Sequence, residues 1–136
     1  MKEITLKARK DELPALTQFI DGELEQLGCP FKAQMQLDMA MDELFSNIAL
    51  YAYPSSEGSA TIRFEYDPDQ KTVSITLIDQ GLPYDPLKKP DPDVTLNAEE
   101  RTIGGLGIFL VKKTMDDMSY RYENGQNVLT IRKTIF

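Results

Sequence analysis

The chain has 136 residues, a formal net charge of −7, 41% hydrophobic and 27% charged residues, one cysteine and no histidine. That length suits a single domain able to bury about two-thirds of its unfolded surface. The acidic balance opposes a phosphate backbone, so no nucleic-acid partner is expected, and the missing histidine with the lone Cys29 excludes internal disulfides, Cys/His zinc centres, histidine-based triads and autophosphorylation on histidine.

Met1 to Arg9 carries basic residues but runs into Asp11 and Glu12, not into an apolar stretch, so no secretion signal is read. The longest apolar runs, such as Ile108 to Val111, are too short for a membrane span, and a cytoplasmic address is expected. Glu3 to Ala8 alternates apolar and polar residues, the pattern of a half-buried strand. Asp11 is placed to N-cap a helix with Pro14 in its first turn. Leu13, Leu16, Phe19, Ile20, Leu24 and Leu27 keep helical spacing until Gly28 and Pro30.

A second helix is expected from about Phe31 to Tyr53, before Pro54, with Leu37, Met41, Leu44 and Ile48 as its core stripe. Met35, Met39 and Met41 read as core filler. Ala60, Ile62, Phe64 and Tyr66 alternate with polar residues, as do Val73, Ile75 and Leu77, and the turn Asp67 to Lys71 joins the two runs into a hairpin. From Gln80 to Gly104 four prolines and no sustained period predict a long loop of the kind kept for active-site lids. A helix to about Met115 follows. Met118, Tyr120 and Tyr122, the turn signal Asn124-Gly125, then Leu129 and Ile131 predict a second hairpin. Two-faced strands of this kind suit an α+β two-layer sandwich, a mostly antiparallel sheet with helices on one face, with residues 1–136 as one domain.

Three places carry residues suited to chemistry. Glu43 and Asn47 lie four apart on one side of the second helix, where a carboxylate can accept a hydroxyl proton and an Asn oxygen can ligate Mg²⁺; the same spacing also fits a solvated helix edge. Asp79 ends an apolar strand and can accept from an exocyclic amine, with Gly81 allowing close backbone approach, although Asp-x-Gly is also an ordinary turn. Gly104, Gly105, Leu106 and Gly107 open a helix whose free N–H groups favour phosphate, and Arg101 could add a charge-assisted contact; a glycine hinge is the alternative. Gly107 to Thr114 comes near a P-loop, but Lys112 replaces its second glycine and the Lys-Thr pair falls inside the helix. Asp85, Asp91 and Asp93 do not follow a calcium-loop pattern.

The order Glu-Leu-Phe-Ser-Asn on a helix, Ile-Asp-Gln-Gly-Leu-Pro-Tyr-Asp-Pro after a strand, a long loop, and Arg-Thr-Ile-Gly-Gly-Leu-Gly-Ile-Phe-Leu-Val-Lys-Lys resembles the N, G1 and G2 boxes of the Bergerat-fold ATPases. Those proteins include gyrase, heat-shock chaperones and histidine kinases. The short length and the form of the G1 box look most like the anti-sigma-factor serine/threonine kinases. The resemblance implies ATP and Mg²⁺ as ligands, with Glu43 as general base and Asn47 on the metal. It implies that Asp79 reads the adenine amino group, that Gly81 shapes the base pocket, and that Arg101, Gly104, Gly105, Leu106 and Gly107 hold the phosphates under a lid of about residues 80–104. The implied partners are an anti-anti-sigma-like protein, a sigma factor and a second copy of the chain. Two other readings stay open: an ATP-gated binding module without catalysis, and a detached histidine-kinase-type catalytic domain.

Overall fold

The computed structural model describes residues 1–88 and 105–136, so Arg101, Gly104 and most of the expected lid lie outside the described residues. The elements run β1 (Lys2–Lys7), α1 (Leu13–Gln26), α2 (Phe31–Asn47), β2 (Ser59–Asp67), β3 (Thr72–Asp79), α3 (Gly105–Thr114), β4 (Asp117–Glu123) and β5 (Gln126–Thr134). Among the described residues the strands form one sheet in the order β1-β2-β3-β5-β4, every pairing antiparallel. The expected α+β sandwich is met, with the helices on one face.

Alternation sets the register. Ile62, Leu77 and Leu129 stand side by side across β2, β3 and β5, and Phe64, Ile75 and Ile131 form the next row. These rows meet Leu16, Ile20 and Leu24 of α1 and Leu37, Met41, Leu44 and Phe45 of α2 in one buried cluster, to which α3 adds Ile108 and Val111. Each such side chain contributes about 1.5–3 kcal/mol by leaving water. The opposite sheet face is polar. Glu3 sits across from Arg63 at 2.6 Å and Arg132 bonds Asp117 at 2.9 Å, exposed pairs each worth about 0–1 kcal/mol.

Three local expectations change. Asp11 does not cap α1: it lies in the short 3-10 turn Lys10–Glu12, and its carboxylate accepts from Arg9 at 2.6 Å. The second helix reaches Tyr53 in two parts, the α-helix Phe31–Asn47 and a wider π turn at Ile48–Ala52. Met41 is buried, but Met35 and Met39 are about half exposed, at 47% and 58%, because with Phe31 they lie on the face of α2 turned away from the sheet. Asn124 and Gly125 both take positive φ, 55° and 75°, as a tight hairpin turn of this kind requires.

Asp21 of α1 and Asp38 of α2 meet at the helix seam, each with a buried Oδ1 that no N–H or hydroxyl donor among the described residues reaches. Burial, the hydrogen bond with Asp21 and the charges of Asp21 and Glu25 push the Asp38 carboxyl up to about 8 from its ordinary 3.8. A folded pKa above the unfolded one contributes stability that is whole below about pH 3.8 and lost as pH rises to about 8. Thermal melts of Asp38→Asn beside the unmodified protein should therefore coincide most closely near pH 4, the variant gaining ground as pH rises to about 8. A difference in melting temperature that does not vary with pH would contradict the raised pKa of Asp38.

Candidate functional site

Val73, Ile75 and Leu77 point from β3 into the helix layer, and Asp79 is the next residue in that period. Its carboxylate is therefore carried inward, to 5% exposure. Burial pushes the Asp79 pKa up, while the side-chain hydrogen bond from Asn127 and the backbone bond from Gly81 pull it back. Both bonds end on Oδ1 at 2.9 Å.

Asn127 is the cross-strand neighbour of Asp79 in β5 and is equally buried. Its amide also donates to the Leu82 carbonyl at 2.9 Å, and its Oδ1 accepts from the Tyr84 N–H at 3.1 Å and from the Tyr120 hydroxyl. Tyr53, at the end of the π turn, donates to the Ser59 carbonyl at 2.7 Å and accepts from the Gln80 N–H at 2.8 Å. The segment after β3 is thus held from both sides, by Tyr53 and by Asn127.

Asp79, Asn127, Asn47, Tyr84 and Tyr120 supply the polar lining of a cavity whose remaining walls include Leu44, Ile48, Leu77 and Leu129. Its volume is about 40 Å³, room for a water or two. At the mouth the Tyr51 and Tyr84 rings lie 6.3 Å apart, tilted by 39°. A buried acceptor beneath an apolar slot matches the donor edge and flat faces of an amino-bearing aromatic base.

One turn earlier on α2, Glu43 faces away from this cavity into a groove of about 300 Å³ between α2 and α3, with Gly107 and Leu110 on the far wall. Asn47 Nδ2 donates to Glu43 Oε1 at 3.4 Å, a long bond that links the two spaces. Glu43 and Asn47 are brought together as expected, while Asp79 joins them through Asn47 and the cavity wall. A carboxylate and an amide oxygen side by side are also a donor set suited to Mg²⁺.

The two site glycines within reach differ in kind. A Cβ on Gly81 would lie 2.4 Å from the Ala52 carbonyl oxygen, so the close approach that glycine permits here is to the π turn, which also accepts from the Leu82 N–H at 2.9 Å. A Cβ on Gly107 would lie 2.2 Å from the Glu43 carboxyl carbon, the free end of a flexible side chain. Gly105 is the first residue of α3, followed by Leu106. Asn127, Tyr120 and Tyr53 were missed by the sequence reading. Asn127 carried a signal, because it extends the inward period of Leu129 and Ile131 with a polar residue.

Comparison with known proteins agrees with the motif order. The histidine kinase-like ATPase domain family matches residues 6–133. A serine-protein kinase RsbW from Listeria monocytogenes is 28% identical over 130 residues, covering 87% of this chain and 82% of its own. The Bacillus cereus protein of the same name is 25% identical over 131 residues, covering 93% and 81%, and the serine/threonine-protein kinase BtrW of Bordetella bronchiseptica is 27% identical over 100 residues, covering 74% and 70%. Among solved structures, the RsbU and RsbW domains of a Mycobacterium tuberculosis protein superpose with a TM-score of 0.66 at 11% identity, over 99% of this chain and 33% of that one, a likeness of fold.

Denaturant titrations separate the two glycines. Gly81→Ala drives a Cβ into fixed backbone and should cost about 1–3 kcal/mol, whereas Gly107→Ala, which only displaces the end of Glu43, should stay within about 0.5 kcal/mol of the unmodified protein. Equal costs would contradict these packing contacts.

Proposed function

Because the chain belongs to the histidine kinase-like ATPase domain family, we propose that it is an ATP-dependent serine/threonine kinase that transfers the γ-phosphate to a hydroxyl of an anti-anti-sigma-like partner protein. The observation that carries this reading is the line Asp79, Asn47, Glu43, in which a buried acceptor at the end of β3 shares a cavity with Asn47 of α2, and Glu43, one turn away on the same helix, opens into the groove under α3. The names of the relatives, serine and serine/threonine kinases, supply the class of acceptor.

ATP is the phosphoryl donor, and Asn47 would hold Mg²⁺, which when bound would supply charge neutralisation for the phosphates. Asp79 accepts from the exocyclic amine of the base. The cavity of about 40 Å³ has to widen to admit the base, since its present volume holds only a water or two. The N–H groups at the start of α3, from Gly105 and Gly107, bind the phosphates, and motif order assigns Arg101 and Gly104, which lie outside the described residues, to the same task. Glu43 takes the proton of the partner's hydroxyl as that oxygen bonds to the γ-phosphorus and the bond from phosphorus to the ADP oxygen breaks. Gly107 lets α3 lie directly against the Glu43 carboxylate, so the base and the phosphate-binding helix end are adjacent. The kinase works in the cytoplasm as a homodimer and also engages a sigma factor; among the described residues no helix is long and apolar enough to cross a membrane.

With radiolabelled ATP, Mg²⁺ and an anti-anti-sigma-like protein, label should pass to a serine or threonine of that protein. Glu43→Gln should reduce the rate by about 10²-fold or more while leaving ATP and partner binding in place. Binding that depends on ATP without any transfer of label would replace this reading with an ATP-gated binding module. Label appearing on a histidine of a partner would replace it with a histidine-kinase-type catalytic domain.

A further inference from the structure

Among the described residues the Asn127 amide is the most heavily bonded buried side chain, yet the transfer chemistry leaves it without a task. An amide has two N–H donors and two acceptor lone pairs. Nδ2 gives one bond to Asp79 Oδ1 and one to the Leu82 carbonyl, each at 2.9 Å, with the Gly81 carbonyl at 3.5 Å; Oδ1 takes the Tyr84 N–H and the Tyr120 hydroxyl. Its capacity is spent, and at 5% exposure it offers nothing further to a ligand. Nor can it turn over: a flipped amide would set oxygen against Asp79 and the Leu82 carbonyl, and N–H against the Tyr84 N–H.

This arrangement acts on Asp79. Among the described residues both hydrogen bonds to that carboxylate end on Oδ1, which leaves Oδ2 as the oxygen available to a base. The titratable side chains around it are Tyr53 after α2, Tyr84 in the loop and Tyr120 in β4, with Asp85 beyond Tyr120. Burial raises the Tyr53 and Tyr120 phenols above their ordinary pKa, and the cavity lining includes no lysine or arginine among the described residues. The N–H groups of Asn127 and Gly81 are therefore what favours the charged form of a carboxylate that burial pushes toward the neutral one.

We propose that Asn127 is the positioning residue that sets base selectivity: by clamping Asp79 as a pure acceptor, it admits a purine with a 6-amino group and turns away one with a 6-oxo group. A carboxylate accepts only, and it meets the oxygen of an oxo purine as one acceptor meets another, with an unpaired group left on each side. A protonated carboxyl would donate, and the preference would collapse or reverse. The inference rests on the proposed nucleotide reading and adds to it the residue that enforces discrimination.

Asn127→Asp removes the donors and places a second carboxylate against the first, where both cannot ionise. Tyr120→Phe is the milder variant; it removes one bond that holds the amide upright and retains the ring. The probes are ATP and ITP, which differ at the 6-position of the purine, with affinity measured calorimetrically from acid to neutral pH and folding followed by circular dichroism. The unmodified protein should prefer ATP by at least about tenfold and lose that preference toward acid as Asp79 takes up a proton. Asn127→Asp should bring the two affinities within about threefold or invert them, and move the acid limb to higher pH. Tyr120→Phe should shift both in the same direction by less, and it decides the matter if Asn127→Asp fails to fold. Variants that weaken ATP and ITP equally, with an unmoved pH profile, would overturn the proposal and leave Asn127 a structural brace. Unmodified protein that binds neither nucleotide at millimolar concentration would overturn the nucleotide reading beneath it.

Discussion

The hydrogen bond between Asp79 and Asn127 joins the ends of β3 and β5 on the face that the helices cover. A buried carboxylate is costly unless it is bonded, and here the compensation comes from one cross-strand neighbour and one backbone N–H two residues on. The same amide fastens the segment after β3 through Leu82 and Tyr84, so the shape of the cavity mouth and the charge at its floor depend on one side chain. The apolar rows of the sheet fix the register of that pair. Leu77 with Leu129 and Ile75 with Ile131 cannot slip by one residue without turning the whole core face to water.

Helix α2 relates this floor to the rest of the site. Its apolar side, Leu37, Met41 and Leu44, is pressed on the sheet, which holds the flank bearing Asn47 and Glu43 at the edge of the core. Asn47 enters the wall of the Asp79 cavity, and Glu43 opens into the groove under α3. The π turn that follows is clamped where Gly81 packs on Ala52 and where Tyr53 bridges Ser59 to Gln80. Core packing places the polar groups, and glycine permits the close approaches at Gly81 and Gly107.

Much of this was legible in the sequence because period carries burial. The alternation in β2 and β3, the helical spacing of α1 and the Asn-Gly turn each gave an element where the structure has it. Glu43, Asn47 and Asp79 were singled out from residue type and motif order. Other features depend on contacts between segments distant in the chain. Met35 and Met39 look like core residues by composition, yet α2 is covered on one side only. Asp11 had the chemistry of a cap, but the neighbouring Arg9 claims its carboxylate. Asn127 was passed over because a polar residue beside a hairpin turn reads as solvated, and its burial appears only once β5 is paired with β3.

A structure of the protein with Mg²⁺ and a non-hydrolysable ATP analogue tests the central claim most directly. The account predicts the exocyclic amine within about 3 Å of Asp79 Oδ2, Asn127 still bonded to Oδ1, and the metal on Asn47. A base bound with its amine away from Asp79, or Asn127 released from Oδ1 to contact the base itself, would contradict it.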